Sequence, residues 1–248
     1  CFLNACLQCL MHIPALKEVL QRSPVDDPKE LDYEQAIFPF FQCLCNEVMA
    51  TSANFVVPED MLGALKHVSP ALLEDPLPQQ DAHDYLRLLI DCMLKDPHNG
   101  KFIGDLFDGA YCSKLKCCQC SYFSPTYTSF GDLSLAVNKD SDIDSTLSAF
   151  LALETLSHDN RYKCPDCQNL VAATKQISII AAPQVLILHL ARFSFGSSAA
   201  KKEDMVTYSM ELSLPVSNSD SQSNLTKKYE LIGVVVHIGP SVDAGHYV

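Results

Sequence analysis

The feature that most constrains this 248-residue chain is a pair of Cys-x-x-Cys knuckles, Cys117-Cys118-Gln119-Cys120 and Cys164-Pro165-Asp166-Cys167. Four thiolates satisfy a tetrahedral zinc ion, and a two-residue gap lets each pair take one edge of the tetrahedron. Residues 121–163 must then leave one knuckle and return to the other, and their pattern holds a hairpin and a helix. The expected site is Cys117, Cys120, Cys164 and Cys167 around a structural zinc. Cys118 offers an alternative to Cys117. Four unrelated thiols and a redox dithiol are the competing readings, and two such pairs in one β-rich region suit a closed structural site better. Thiolate ligation would stabilise the surrounding hairpins directly.

The pattern changes character on either side of about residue 100. Phe2, Cys6, Cys9 and Ile13 recur at helical spacing until Pro14 interrupts them, and Ala15–Gln21 predicts a second short helix. Glu34–Met49, Glu59–Val68 and Asp81–Lys95 each carry an apolar stripe three or four residues apart. From Gly109 onward, YCSKLKC, YTSFGDLSLAV, VAATKQISII, QVLILHLARFSF and YELIGVVVHIG predict strands, broken by one helix over Asp144–Leu156. Gly196–Asp204 and Ser217–Lys228 are polar and Ser-rich, and predict exposed loops. A helical half followed by a β half predicts an α+β fold.

Composition excludes several functions. A net charge of −12 repels the phosphates of nucleic acid, and no apolar run is long enough to span a bilayer. Twelve cysteines belong either to disulfides in a secreted protein or to ligands, nucleophiles and buried thiols in a reducing compartment. Cys6, Cys9, Cys43, Cys45 and Cys92 fall within helical apolar patterns, which favours an intracellular protein of the cytoplasm or nucleus.

Two residues at the chain ends offer nucleophilic chemistry. Cys1 begins an amphipathic helix, where the macrodipole and unpaired backbone donors favour thiolate. The bland alternative makes it one more buried thiol beside Cys6 and Cys9. His246 follows a strand and a turn-rich segment, and Gly245 before it would let a substrate backbone approach closely. His237 and His83 compete with it for the role of base. Asp81 reads as a helix cap, with Asp84 complementing the dipole in the first turn.

Taken together, these motifs resemble the catalytic domain of the ubiquitin-specific proteases. CFLNACLQCL (residues 1–10) resembles that family's cysteine box, and QQDAHDYL (79–86) its QQDAHEFL helix. The paired knuckles resemble its zinc-bearing fingers, LILHLARF (186–193) its LxLHLKRF strand, and YELIGVVVHIGPSVDAGHYV (229–248) its histidine box. The resemblance implies a papain-like cysteine protease fold and a single catalytic domain over residues 1–248. Within it, a helical thumb would span 1–105, zinc-binding β fingers 106–182, and a β palm, incomplete at the C-terminus, 183–248. It implies a thiol-dependent deubiquitinase that hydrolyses the (iso)peptide bond at the C-terminal Gly of ubiquitin. Cys1 would be the nucleophile, His246 the general base, and Asp81 and Asp84 contacts for the ubiquitin tail. Zinc is the only cofactor implied. The partners implied are ubiquitin and ubiquitinated proteins, with no nucleic acid and no membrane, for a monomer.

The chain departs from the family pattern at its ends. The oxyanion-stabilising Asn would precede Cys1 and the third catalytic residue would follow His246, so the chain reads as truncated at both ends and, alone, weak or inactive. Neither role passes to Asn4 or Asp243. Two other readings compete. An N-terminal nucleophile hydrolase using the amine of Cys1 leaves the knuckles and the QQDAHDYL helix unexplained. A non-cleaving ubiquitin-binding module leaves Cys1 and His246 without a purpose.

Overall fold

A computed structural model describes residues 1–23, 27–50, 55–70, 81–194, 200–217, 224–239 and 244–248. The chain forms two compact units: Cys1–Leu106 joined by Ile232–Val248, and Phe107–Leu231.

The first unit is built on helices. In α1 (Phe2–Met11), Phe2, Leu3, Cys6, Leu7, Leu10 and Met11 make one buried stripe. Pro14, which breaks the sequence pattern, is the first residue of α2 (Pro14–Arg22), where its missing N–H costs nothing. The third helix, α3 (Ile37–Ala50), begins three residues later than its pattern suggests. There the Asp32 carboxylate accepts the Gln35 N–H at 2.9 Å and turns the chain first. Helix α4 (Glu59–Val68) has Glu59 and Asp60 in its first turn and Lys66 and His67 in its last, each complementing the helix dipole. Asp81 caps α5 (Ala82–Met93) by accepting the His83 N–H at 2.9 Å.

Sequence reading missed α6 (Gly100–Phe107), although Ile103, Leu106 and Phe107 are fully buried at helical spacing. The turn before it is held by Asp96, only 4% exposed, which accepts the N–H groups of His98 at 3.0 Å and Asn99 at 2.6 Å. No helix among the described residues is long and apolar enough to cross a membrane.

The second unit is mostly sheet. It opens with β1 (Gly109–Cys117), β2 (Phe123–Phe130), β3 (Leu133–Ala136) and β4 (Ser141–Asp142). Helix α7 (Ile143–Leu151) follows, and its capping box is complete: Asp142 accepts the Ser145 N–H at 2.7 Å, and Ser145 Oγ accepts the Asp142 N–H. The helix stops five residues short of the expected end, because Glu154–Leu156 is a strand, β5, paired with β8. Next come β6 (Tyr162–Lys163), β7 (Leu170–Val171), β8 (Ala173–Ala181), β9 (Leu188–Ala191), β10 (Phe193–Ser194), β11 (Ala200–Lys201) and β12 (Val206–Thr207). The main sheet has the order β2-β1-β8-β5 and is antiparallel throughout. Parallel pairing joins β3 to β9 and β4 to β12. Phe130, Leu133, Leu135, Leu147, Ile179 and Leu214 form the core beside this sheet.

Two expected loops carry strand. Part of Gly196–Asp204 falls outside the described residues, and its remainder includes β11, paired with β10. Most of the described part of Ser217–Lys228 lies in a hairpin between β13 (Glu211–Ser217) and β14 (Asn224–Glu230). The polar side chains there find buried partners: Lys227 Nζ and the Tyr229 hydroxyl each donate to the Pro183 carbonyl at 2.7 Å. Beyond Glu230 the expected strand lapses, and only β15 (His237–Ile238) resumes it, pairing antiparallel with β16 (His246–Tyr247) back in the first unit.

One core position is poorly satisfied. Tyr85 is 1% exposed, its ring meets Phe2 edge-on at 5.4 Å, and its hydroxyl finds no hydrogen-bond partner among the described residues. Tyr85→Phe is expected to raise the unfolding free energy by about 1 kcal/mol, since an unpaired buried hydroxyl carries a penalty of that order. Urea titration with an unchanged m-value is the check.

Candidate functional site

The first unit brings the two chain ends together. Cys1 is the N-cap of α1 and is exposed, and its carbonyl accepts the Ala5 N–H at 3.0 Å as the helix starts. His246 opens β16, opposite Ile238, and is also exposed. Val236 and Val248 exchange both main-chain hydrogen bonds, at 2.8 and 3.0 Å, and lock the register of this short pairing. Cys1 and His246 line one cavity of about 310 Å³, together with Asn4, Gln8, Cys9, Val234 and Val248. His83 and His237 do not line it.

From sequence, Asn4 is named only to set it aside as the oxyanion donor, and Gln8 is not singled out. Their signal was spacing: three and seven residues after Cys1, they fall on the same face of α1. Tyr247 was also overlooked. It is buried, and its ring lies 4.8 Å from that of His237.

Glycines permit the close approaches around the cavity. A Cβ on Gly233 would come within 2.8 Å of Cys9 Sγ, so a side chain would push this segment away from α1. A Cβ on Gly245 would collide with the His237 ring. Space at Gly245 thus accommodates that imidazole, whereas sequence reading assigned it to an approaching substrate backbone.

Chemistry separates the thiols of the helical unit. Burial pushes Cys6 and Cys45 up to about 12 and Cys92 up to about 11, and it raises Cys9 as well. These thiols stay protonated near neutral pH and are poor nucleophiles. Cys1, by contrast, is exposed, at a helix N-terminus and beside an imidazole-bearing cavity. It is not one more buried thiol.

Asp81 and Asp84 lie at the opening of α5. The cap role of Asp81 uses one carboxylate oxygen, and Asp84 is exposed in the first turn. Neither lines the cavity of Cys1. Gln79 and Gln80, which precede them in the recognised motif, fall outside the described residues, as does Asp243.

In the second unit the knuckles converge. The sulfurs of Cys117, Cys120, Cys164 and Cys167 all lie within 4.8 Å of one another. Cys117 and Cys167 are 3.8 Å apart, and Cys120 and Cys164 are 3.7 Å apart. Tetrahedral zinc with Zn–S bonds near 2.3 Å requires S···S distances of about 3.8 Å. The cluster therefore fits such an ion. Each knuckle also presents amides to its sulfurs: Gln119 N–H to Cys117 at 3.3 Å, Tyr122 N–H to Cys120 at 3.5 Å, and Cys167 N–H to Cys164 at 3.5 Å. The first of these pulls Cys117 down to about 7, towards the thiolate a metal needs. Gln168, with φ of 56°, turns the second knuckle back so that its N–H reaches the Cys164 carbonyl at 2.8 Å. Cys118 stands outside the cluster, exposed, with its N–H given to the Ala172 carbonyl.

A family profile described as ubiquitin carboxyl-terminal hydrolase matches residues 1–248. Ubiquitin carboxyl-terminal hydrolase 23 of Arabidopsis thaliana is 31% identical over the whole chain, which covers 30% of that protein. Ubiquitin carboxyl-terminal hydrolase 36 of Drosophila melanogaster is 30% identical, again over the whole chain, which covers 25% of it. The chain thus spans about a quarter to a third of the length of these relatives. Among solved structures, a SAGA Ubp8/Sgf11/Sus1/Sgf73 DUB module bound to ubiquitin aldehyde matches all of this chain and 58% of its own, at a TM-score of 0.79 and 26% identity. A second such module, bound to monoubiquitin, matches at a TM-score of 0.76 and 25% identity. The expected mixed helix-and-sheet fold is the one observed.

Two outcomes follow for the thiols. At pH 7.5, iodoacetamide is expected to modify Cys1 well before Cys6 and Cys45, which should react only when the protein unfolds or the pH nears their values. Mass spectrometry of timed digests reads this. Chelation, or Cys164→Ser, is expected to raise hydrogen exchange in β1, β2 and β8 while α1 and α5 keep their protection.

Proposed function

Because this chain belongs to the ubiquitin carboxyl-terminal hydrolase family, we propose that it carries out cysteine-type deubiquitination, with Cys1 as nucleophile and His246 as its base. The observation that carries this reading is the placement of an exposed thiol, on the N-cap residue of α1, and an exposed imidazole on one cavity of one compact unit.

The chemistry runs in two halves. His246 takes the thiol proton, and Cys1 Sγ attacks the carbonyl carbon of the C-terminal Gly of ubiquitin. The tetrahedral intermediate collapses, the C–N bond breaks, and the imidazolium returns its proton to the departing amine. That leaves a thioester on Cys1. Water, deprotonated by His246, attacks the thioester carbonyl, and the C–S bond breaks to free the ubiquitin carboxylate and the thiol.

Asp81 and Asp84 offer negative charge to the basic tail of ubiquitin, as the family resemblance implies. Cys117, Cys120, Cys164 and Cys167 would hold zinc as a structural ion, which would stabilise the surrounding strands and supply no reacting group. Ubiquitinated proteins are the substrates, and the protein acts as a monomer. A reducing intracellular compartment suits it, because none of its twelve cysteines is in a disulfide.

The test uses the full-length protein and a ubiquitin bearing a thiol-reactive group at its C-terminus. Labelling is expected with the wild type and its loss with Cys1→Ala. Robust labelling of Cys1→Ala would overturn the assignment. His246→Ala is expected to lower kcat/KM on a fluorogenic ubiquitin amide by on the order of 10²–10⁴, the range for a lost general base.

A further inference from the structure

Ser23 closes α2, and its hydroxyl ties that helix to a distant part of the chain. The backbone leaves α2 there in extended geometry, with φ of −72° and ψ of 141°. Ser23 Oγ donates to Asn99 Oδ1 at 2.6 Å, in the turn that leads into α6. Asn99 is itself held by Asp96, whose Oδ1 accepts its main-chain N–H at 2.6 Å and its Nδ2 at 3.0 Å. From α3, Gln42 Nε2 donates to the Leu20 carbonyl at 2.6 Å and to the Ser23 carbonyl at 3.0 Å. Gln42 is 1% exposed and Asp96 4%, whereas Ser23 is half-buried at the rim of this junction. Buried polar groups thus join α2, α3 and the turn before α6 through one serine.

The Asn99 amide has a single usable orientation. Its nitrogen goes to Asp96, which leaves its oxygen for Ser23. Turning the amide over would set that oxygen against the Asp96 carboxylate. The Ser23 oxygen must therefore carry a proton.

Pro24 follows directly in the sequence. A residue before proline is biased to extended backbone, the form in which a Ser-Pro pair enters a proline-directed kinase. Two other Ser-Pro pairs occur, at Ser69 and Ser124. Ser124 lies inside β2, opposite Leu115, and Ser69 ends α4. Among the described residues, only the Ser23 hydroxyl of these three bonds to another element.

We propose that Ser23 is a phosphorylation site for a proline-directed serine kinase, and that the phosphate unfastens α2 from the turn before α6. In the transfer, Ser23 Oγ forms a bond to the γ-phosphorus of ATP. The bond from that phosphorus to the β–γ bridging oxygen breaks, ADP departs, and a base of the kinase takes the hydroxyl proton. The product has no proton on Oγ and brings about two negative charges. It faces the Asn99 oxygen, the Asp96 carboxylate that holds Asn99, and the negative end of the α2 dipole, all of which repel it. Arg22, the adjacent cation, is already paired with Glu18 one turn back. None of these residues lines the cavity of Cys1 and His246. The modification therefore acts on the stability of the helical unit, and through it on the working lifetime of the protein.

The test incubates the full-length protein and its Ser23→Ala variant with ATP and a proline-directed serine kinase, and locates phosphate by mass spectrometry of digests. The wild type is expected to gain it at Ser23, and the variant to gain none on the corresponding peptide. In the phosphorylated protein, hydrogen exchange across α2 and residues 96–106 is expected to quicken by roughly 10-fold or more, the scale of a lost hydrogen bond with added repulsion. Strands β1 and β8 should keep their protection. Ser23→Ala, which loses the bond without gaining the charge, should show a smaller rise. The exchange readout does not depend on whether Cys1 reacts. Phosphate confined to Ser69 or Ser124, or a phosphorylated Ser23 that leaves α2 and residues 96–106 as protected as before, would overturn the proposal.

Discussion

Everything distinctive about the helical unit depends on a very small piece of sheet. Val236 and Val248 exchange both of their main-chain hydrogen bonds, with His237 facing Tyr247 and Ile238 facing His246. So short a pairing would not hold in water by itself. It persists because Gly233 lets the preceding segment lie against Cys9 on α1, and because the buried Tyr247 ring packs on that of His237. Helix packing supplies the rigidity, and the strand pair passes it to the imidazole.

The twelve cysteines show how burial and hydrogen bonding sort one functional group into three uses. Cys6, Cys45 and Cys92 sit among apolar side chains, lose access to water and hold their protons. Cys117 is also buried, yet an amide aimed at its sulfur draws it the other way. Cys1 combines exposure with the positive end of a helix. Polarity at the scale of a few atoms therefore decides which thiols are suited to a metal, which fill space and which stay open to solvent.

Much of this was legible in the residues because the signals were local. Two-residue gaps between cysteines describe a metal edge wherever they fold, and an Asp before an apolar stripe announces a cap, as Asp81 and Asp142 show. Signals that depend on distant partners did not carry. Helix α6 was missed because its three buried residues fall in a short stretch beginning with glycine. Glu154–Leu156 resembled a continuing helix until β8 paired with it. The hairpin at β14 looked like a polar loop, since nothing near it in sequence reveals that the Pro183 carbonyl awaits Lys227 and Tyr229. The space at Gly245, which sequence reading gives to a substrate backbone, is also the space the His237 ring needs, a neighbour that only strand pairing reveals.

The helical unit is assembled from two stretches of chain with the whole β unit between them. During synthesis from the N-terminus, α1 to α6 leave the ribosome long before Ile232–Val248, so the thiol waits without its imidazole while the intervening sheet is made. Closing so long a loop is not prohibitive, as each doubling of length adds only about 0.6 kcal/mol. Its effect is on timing: the β unit has the opportunity to fold, and its four clustered thiols to come together, before Cys1 and His246 can share a cavity.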